Sequence, residues 1–370
     1  MKILFLCNST RISGAEVSLL LLLDGLDAEK YQVVVAVPGQ GDLYEKLVSK
    51  YPVKVFPLKR YKRTKNVLAV LIFLMHSMVV SFRIARYVRR ERIDLIYANN
   101  LQSQLYSIMV KMLTGRKNIW HARDNSPGRL TTKLFAWLSA HVICISEFIY
   151  RQIPAYGHRK SCIPNGIDSG DWQPERPGKM ATSGARYKLT VGMVGQLIPW
   201  KRHMDLILAA EGVIDSFPNV QFLFIGEEPD NHCSGYKLFL EEAIACKGLE
   251  EYFHFAGFER SIKERISELN VLVHCADREP FGRVIIEAMA LEKAVIACNT
   301  GGPAEIIVNG HSGILIGPGD IGLLAEKILF LLQNEEIRTA LGKEARKRVI
   351  QNYSARDTAK GIQKVMESLI

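Results

Sequence analysis

Cysteine is sparse and shows no pairing pattern. The 370 residues carry seven, an odd count, and no two are spaced C-x-x-C. This argues against a disulfide framework and against a zinc site built from cysteine pairs. Cys7, Cys144, Cys275 and Cys298 fall in apolar runs, where a free thiol packs as a small hydrophobe, so a reducing, cytoplasmic setting is expected. No uninterrupted apolar run reaches the ~20 residues a membrane span needs. The longest, Val67 to Phe82, is interrupted by His76 and Ser77 and reads as a mostly buried helix. The opening M-K-I-L-F-L-C-N is too short for a secretory h-region and reads as a first strand. No D-x-D occurs, so a metal bridging a diphosphate is not indicated. The loop after the first strand holds neither G-x-G-x-x-G nor G-K-[ST], which disfavours a dinucleotide dehydrogenase and a P-loop enzyme. Repeats of solenoid period and low-complexity tracts are also missing.

What is present is an ordinary globular composition, 48% hydrophobic and 23% charged, in a chain long enough for about two domains. The net charge of +10 is uneven. Residues 1–170 hold 25 Lys+Arg against 11 Asp+Glu; the remainder hold 23 against 27. Lys59 to Lys65 and Arg83 to Arg92 dominate the excess. A solvated face is one reading. Contact with an anionic membrane leaflet is the sharper one. No nucleic-acid motif accompanies the charge.

Strand-like runs alternate with helical patterns. They include Ile3–Leu6, Val33–Val37, Val53–Phe56, Asp94–Ala98 and Val142–Ile145, then Val191–Val194, Phe222–Ile225, Val271–His274 and Ala294–Ala297. Glu16–Leu26, Met204–Val213, Arg283–Leu291 and Leu323–Leu332 have helical length or spacing. Continuous Val/Ile/Leu strands between helices indicate parallel sheets covered on both faces. Two such series predict an α/β chain of two doubly wound Rossmann-like domains. The Pro- and Gly-rich stretch 174–186 reads as a linker between domains 1–173 and 187–353, and 354–370 as a further helix.

In such sheets ligands sit where strand ends meet helix starts. Three loops of the second half have the right chemistry. Gly195-Gln196 leads to Lys201-Arg202, two cations ahead of a helix and suited to phosphate. Glu279-Pro280-Phe281-Gly282 precedes a helix carrying Glu287. The free N–H groups at that helix start face an anion well, and the carboxylates suit vicinal hydroxyls. Gly301-Gly302-Pro303-Ala304-Glu305 repeats the plan. Cations, amides and carboxylates together fit a nucleotide-sugar better than a bare nucleotide. In the first half, Ser13-Gly14-Ala15-Glu16 and His121-Ala122-Arg123-Asp124 follow strands and end in polar groups.

The ordered set Glu279-Pro-Phe-Gly…Glu287-Ala-Met-Ala and Gly301-Gly-Pro-Ala-Glu305 resembles glycosyltransferase family 4, over nearly the whole chain. Ser13-Gly-Ala-Glu16, Ile163-Pro-Asn-Gly-Ile-Asp168 and Gly313-Ile-Leu to Gly319-Asp320 add to the match. The resemblance implies a GT-B fold, two domains facing each other across a cleft, with the final helix crossing back onto the first. It implies a retaining hexosyl transfer from a nucleotide-diphosphate-sugar to a glycan or lipid-linked acceptor, as in polysaccharide assembly, without a metal or resident cofactor. By position it makes Glu279, Lys201 and His121 catalytic. It places Gly14, Gln196, Arg202, Pro280, Phe281, Gly282, Glu287, Gly301, Gly302 and Glu305 at the donor, and Ser13, Glu16, Arg123 and Asp124 on the acceptor side. A peripheral location on the inner membrane face is expected. Ser13, Gln196, Glu228 and Glu292 stand where the family usually has Gly, Arg, Gly and Gly, and Ala294 where it usually has Pro. A non-catalytic nucleotide-sugar-binding protein, or an epimerase on the same scaffold, is the alternative.

Overall fold

The computed structural model describes residues 1–61, 66–126, 128–154, 156, 159–174, 189–229, 235–259 and 261–369. It divides into two compact units, Met1–Gly166 with Ala355–Ile370, and Ile167–Ser354. The first unit contains β1 (Lys2–Leu6), α1 (Gly14–Asp24), β2 (Gln32–Val37), α2 (Asp42–Val48), β3 (Val53–Val55), α3 (Val67–Arg90), β4 (Leu95–Ala98), α4 (Leu101–Thr114), β5 (Lys117–Ala122), α5 (Arg129–Leu138), β6 (His141–Cys144), α6 (Glu147–Gln152) and β7 (Lys160–Cys162). The second contains β8 (Leu189–Val194), α7 (His203–Ser216), β9 (Val220–Ile225), α8 (Tyr236–Cys246), β10 (Phe253–Gly257), α9 (Ile262–Ser267), β11 (Val271–His274), α10 (Arg283–Ala290), β12 (Ala294–Cys298), α11 (Pro303–Ile306), β13 (Ile314–Ile316), α12 (Ile321–Gln333) and α13 (Glu335–Asn352). The last helix, α14 (Ala355–Glu367), returns to the first unit.

Both sheets are parallel. Their strand orders are β3-β2-β1-β4-β5-β6-β7 and β10-β9-β8-β11-β12-β13. The order reverses between β1 and β4 in one and between β8 and β11 in the other. At these switch points successive loops leave in opposite directions and open a crevice.

Alternation along β1 builds two cores in the first unit. Ile3 and Phe5 pack with Leu19 and Leu22 of α1, Leu43 and Leu47 of α2, and Ala359 and Ile362 of α14. Leu4 and Leu6 face the other way, onto Val80, Ile84 and Val88 of α3 and Tyr106 and Val110 of α4. The helix α14 is also tied by polar contacts. Gln363 Nε2 donates to Gly25 O (3.0 Å), and Thr358 Oγ1 to Pro164 O (2.8 Å). In the second unit, β8, β9 and β11 pack on α7 and α12 through Val191, Phe222, Phe224, Val273, Leu206 and Ile328.

Two local expectations need adjusting, the place of the division and the burial of the first apolar stretch. The division falls after Gly166, and residues 167–173 go with the second unit: Ile167 N donates to Tyr353 O (2.8 Å) and Arg346 Nη1 to Trp172 O (2.8 Å). The linker stretch 174–186 lies, except for Pro174, outside the described residues, as do Lys62 to Lys65 of the first basic run. The apolar stretch Val67–Phe82 is helical but mainly exposed. Only Ser77, Val80 and Ser81 within it are buried, because α3 outruns the sheet that its last turns cover. Glu292, at a usual Gly position, has φ +58°, the left-handed backbone that glycine adopts most easily.

Candidate active site

The second unit's site grows from the two central strands. β8 ends at Val194, just before Gly195, and a short 3-10 turn, Pro199–Lys201, presents Lys201 before α7. β11 ends at His274, and its loop presents Glu279 before α10. Lys201 Nζ and Glu279 Oε2 meet at 2.5 Å, both largely buried. The buried His274 Nε2 lies 3.4 Å from the same oxygen. Burial opposes the charge on Glu279. Lys201 first, and His274 with it, outweigh that and hold the carboxyl well below the ordinary carboxylate range. Lys201 Nζ also stands 4.5 Å from the Trp200 ring.

Glycines fix this geometry by letting loops touch. A Cβ on Gly301 would stand 2.4 Å from Glu279 O, and one on Gly302 2.2 Å from Phe281 O. Gly302 N donates to Glu279 O (2.9 Å), and Thr300 Oγ1 to Asp277 O (2.7 Å). The loop after β12 therefore clamps the loop after β11. Gly282 has φ +97° and begins α10, placing that helix's first N–H groups beside the Glu279 loop.

Other expected residues have nearer partners. Arg202 pairs with Asp205 (2.7 Å) and lies against Gly319, where a Cβ would meet its Nη2 at 2.8 Å. Glu287 lies buried on α10 and pairs with Arg283 one turn earlier (2.7 Å). Burial raises its pKa, and Arg283 offsets only part of that. Gln196 is exposed, Pro280 is half-buried, and the buried Phe281 ring packs against Tyr353. The backbone carbonyl of Glu305 accepts from Arg348 (3.0 Å) and Tyr353 (3.2 Å).

In the first unit, Ser13 caps α1. Both its N–H (3.2 Å) and its hydroxyl donate to Glu16, which is itself buried. Gly14 is the exposed first residue of that helix. His121 lies inside β5 rather than in the loop after it. Its Nδ1 receives Tyr97 OH (2.5 Å) and Arg123 Nη2 (3.1 Å). Arg123 is held in turn by Asn99 O (3.0 Å) and Asn165 Oδ1 (2.6 Å). A guanidinium only donates, so Nδ1 accepts and the ring proton belongs on Nε2. That Nε2 is buried with no hydrogen-bond partner among the described residues. The ring lines a small cavity with Ser18, Asn165 and Thr358. Burial, then the Arg123 charge, depresses its pKa well below the usual imidazole value. Asp124 Oδ2 accepts Leu101 N at the start of α4 (3.2 Å).

Within the second unit the structure thus joins Lys201, Glu279, Phe281, Gly282, Gly301 and Gly302. Within the first it joins His121 to Arg123, and Ser13 to Glu16. Two contributors stand outside the expected site residues, His274 and Tyr97, and the Gly319 loop, expected only as part of the family match, lies against Arg202. His274 was legible as the last residue of the strand that leads to Glu279. Gly317-Pro-Gly319-Asp-Ile-Gly322 spells G-x-G-x-x-G, but it follows the edge strand β13, away from the switch point, and Gly319 makes room for Arg202.

Comparison with known proteins bears on the family and the fold. The family model described as Glycosyltransferase Family 4 matches residues 12–170, and that of Glycosyl transferases group 1 matches 182–348. The capsular polysaccharide biosynthesis glycosyltransferase CapM of Staphylococcus aureus is 33% identical over 45% of this chain and 42% of its own. The sulfoquinovosyl transferase SQD2 of Arabidopsis thaliana is 25% identical over 73% of this chain and 56% of its own. The chain thus spans about half the length of these curated relatives. Anabaena HepE, solved in complex with UDP-glucose, has the same fold, with a TM-score of 0.84 and 24% identity across the whole of both chains.

Proposed function

The chain belongs to the family 4-like glycosyltransferases of GT-B fold, and from that premise we propose that it moves a hexosyl group from a nucleotide-diphosphate-sugar to a glycan or lipid-linked acceptor, with retention of anomeric configuration. The Lys201–Glu279 pair at the β8/β11 switch point carries this reading. A cation there meets the leaving diphosphate, and the first N–H groups of α10 add a second source of positive potential. Glu279, freed from Lys201 by the incoming phosphate, accepts from sugar hydroxyls. Glu287 takes the ribose hydroxyls, and Arg202 supports the diphosphate.

His121 is the first unit's substrate contact. With its proton on Nε2 it donates a hydrogen bond to a sugar oxygen. The bond from the anomeric carbon to the phosphate oxygen breaks as the acceptor hydroxyl attacks from the same face, and the hydroxyl proton passes to the departing phosphate. Protein groups supply the positive charge for this step.

A thermal-shift series with nucleoside-diphosphate sugars, followed by NMR of the product, tests this. A donor raises the melting temperature by mass action. The product keeps the donor's anomeric configuration, and activity survives a chelator. Turnover of labelled donor without acceptor into an epimer, or binding with no turnover at all, counts against transfer. An inverted product counts against retention.

A further inference from the structure

The mainly exposed helix α3 is the largest feature that the proposed chemistry leaves unused. Nine large apolar side chains from Val67 to Phe82 are exposed, Met75 at 64% and Phe82 at 61% among them. They form a stripe. Leu71, Met75, Met78 and Phe82 follow one another at spacings of three and four residues, so they share one face. The same spacing continues into Arg86 and Arg89, also exposed. The helix carries four arginines, all in its last turns, and no carboxylate.

Soluble surfaces seldom leave so much contiguous apolar area open. We infer that this face of α3 docks on an anionic lipid bilayer, its apolar turns entering the acyl boundary and its arginines meeting the head groups. Charge complementarity selects that occupant: an apolar layer bordered by negative charge matches an apolar stripe bordered by arginine. A spanning role does not fit. The helix is long and apolar enough to cross a membrane, but Val80, Ile84, Ala85 and Val88 are locked into the core with β1, β2 and β4.

The placement also gives the docking a purpose. α3 runs from the end of β3 back to the start of β4, so its exposed half lies at the carboxyl end of the sheet. Asn8, Asn99 and His121 lie at the same end. Lys59 and Arg60 are held at that end too, with Arg60 Nε donating to Asn8 O (3.2 Å) and Lys59 N to Tyr106 OH (2.9 Å). On the same side of the sheet α5 exposes Leu130, Leu134 and Trp137, a second short stripe with Lys133 beside it. Docked through α3, the unit presents its candidate acceptor residues to the membrane, which deepens the acceptor half of the proposed function to a bilayer-held substrate. Docking requires no donor, so its test stands apart from that of transfer.

The test is flotation of the full chain with vesicles of phosphatidylcholine alone and of phosphatidylcholine mixed with phosphatidylglycerol, at low and high salt. Wild type is expected to float with the mixed vesicles, less so at high salt, and to stay behind with neutral ones. Met75→Asp/Met78→Asp and Arg83→Glu/Arg86→Glu alter exposed side chains only. Each is expected to weaken binding about tenfold or more while keeping the melting temperature and the donor-induced shift. As a second readout, Phe82→Trp emission moves to the blue on mixed vesicles. Wild type that ignores both vesicle types, or variants that bind as wild type does, overturns the inference. So does sedimentation showing a dimer that Met75→Asp/Met78→Asp dissociates, since the face then belongs to a second copy.

Discussion

Lys201 Nζ lies 2.5 Å from Glu279 Oε2 although 78 residues separate them in sequence. The contact exists because β8 and β11 are neighbours in the sheet and each sends its loop out at the point where strand order reverses. Two opposite charges, largely buried together, neutralise each other until a ligand with its own charge replaces one of them.

Removing either partner strands the other charge in a poorly solvated place. Lys201→Ala is expected to slow transfer by ~10²-fold or more, as loss of a leaving-group stabiliser does. Glu279→Gln is expected to lower kcat with a smaller effect on nucleotide affinity. The double variant falls short of the sum, because the residues act as a unit. Steady-state kinetics on the three proteins checks this, and strictly additive losses argue against a shared role.

The Tyr97–His121–Arg123 contacts fix the imidazole's tautomer without touching substrate. Tyr97→Phe removes one donor to Nδ1 and leaves Arg123 as the other. Activity is expected to drop moderately, with a KM change smaller than the kcat change. Arg123→Gln removes the charge that helps depress the His121 pKa, and the acid limb of the rate profile moves to higher pH. A wild-type kcat in Tyr97→Phe together with an unshifted pH profile in Arg123→Gln denies His121 a part in the reaction.

Gly302 has an ordinary helical backbone, φ −60°, so only space forbids a side chain there. Gly302→Ala forces a methyl against Phe281 O and pushes the two loops apart. A destabilisation of about 1–3 kcal/mol is expected, with donor affinity falling as well. Denaturant unfolding and a donor titration measure the two effects. Wild-type values for both remove the clamp from the argument.

Stability should fall in acid in two stages. His121 and His203 are buried, and burial lowers both pKa values, that of His203 to about 3. The unfolded chain therefore takes up protons below about pH 6.5 that the fold refuses, and stability declines as pH drops through that value. Glu279, depressed by Lys201 and His274, adds a second loss below its ordinary range, near pH 4.5. Neither ring nitrogen of His203 has a hydrogen-bond partner among the described residues, and Phe224 and Tyr236 pack around the ring. His203→Leu is expected to shallow the first decline with little cost at neutral pH. Melting temperatures from pH 8 to 4 test both claims, and identical slopes for variant and wild type contradict the assignment.

Periodicity and composition sufficed for the elements. Apolar runs such as Ile3–Leu6, Val191–Val194 and Val271–His274, alternating with helical patterns, read as buried parallel strands, and Gly282 and Gly301 announce loops at their ends. Those are local properties, set by side-chain burial and backbone freedom, and a chain carries them wherever it goes. The tertiary structure decided what meets what. It turned Arg202 toward Asp205, set Tyr97 against His121, and made Gly302 the only residue type that lets the β12 loop touch Phe281. It also left the apolar half of α3 uncovered, where hydrophobicity alone had pointed inward. Hydrophobicity reports that a side chain resists water; only the packed sheet, too short to reach the first turns of that helix, determines whether protein is there to shelter it.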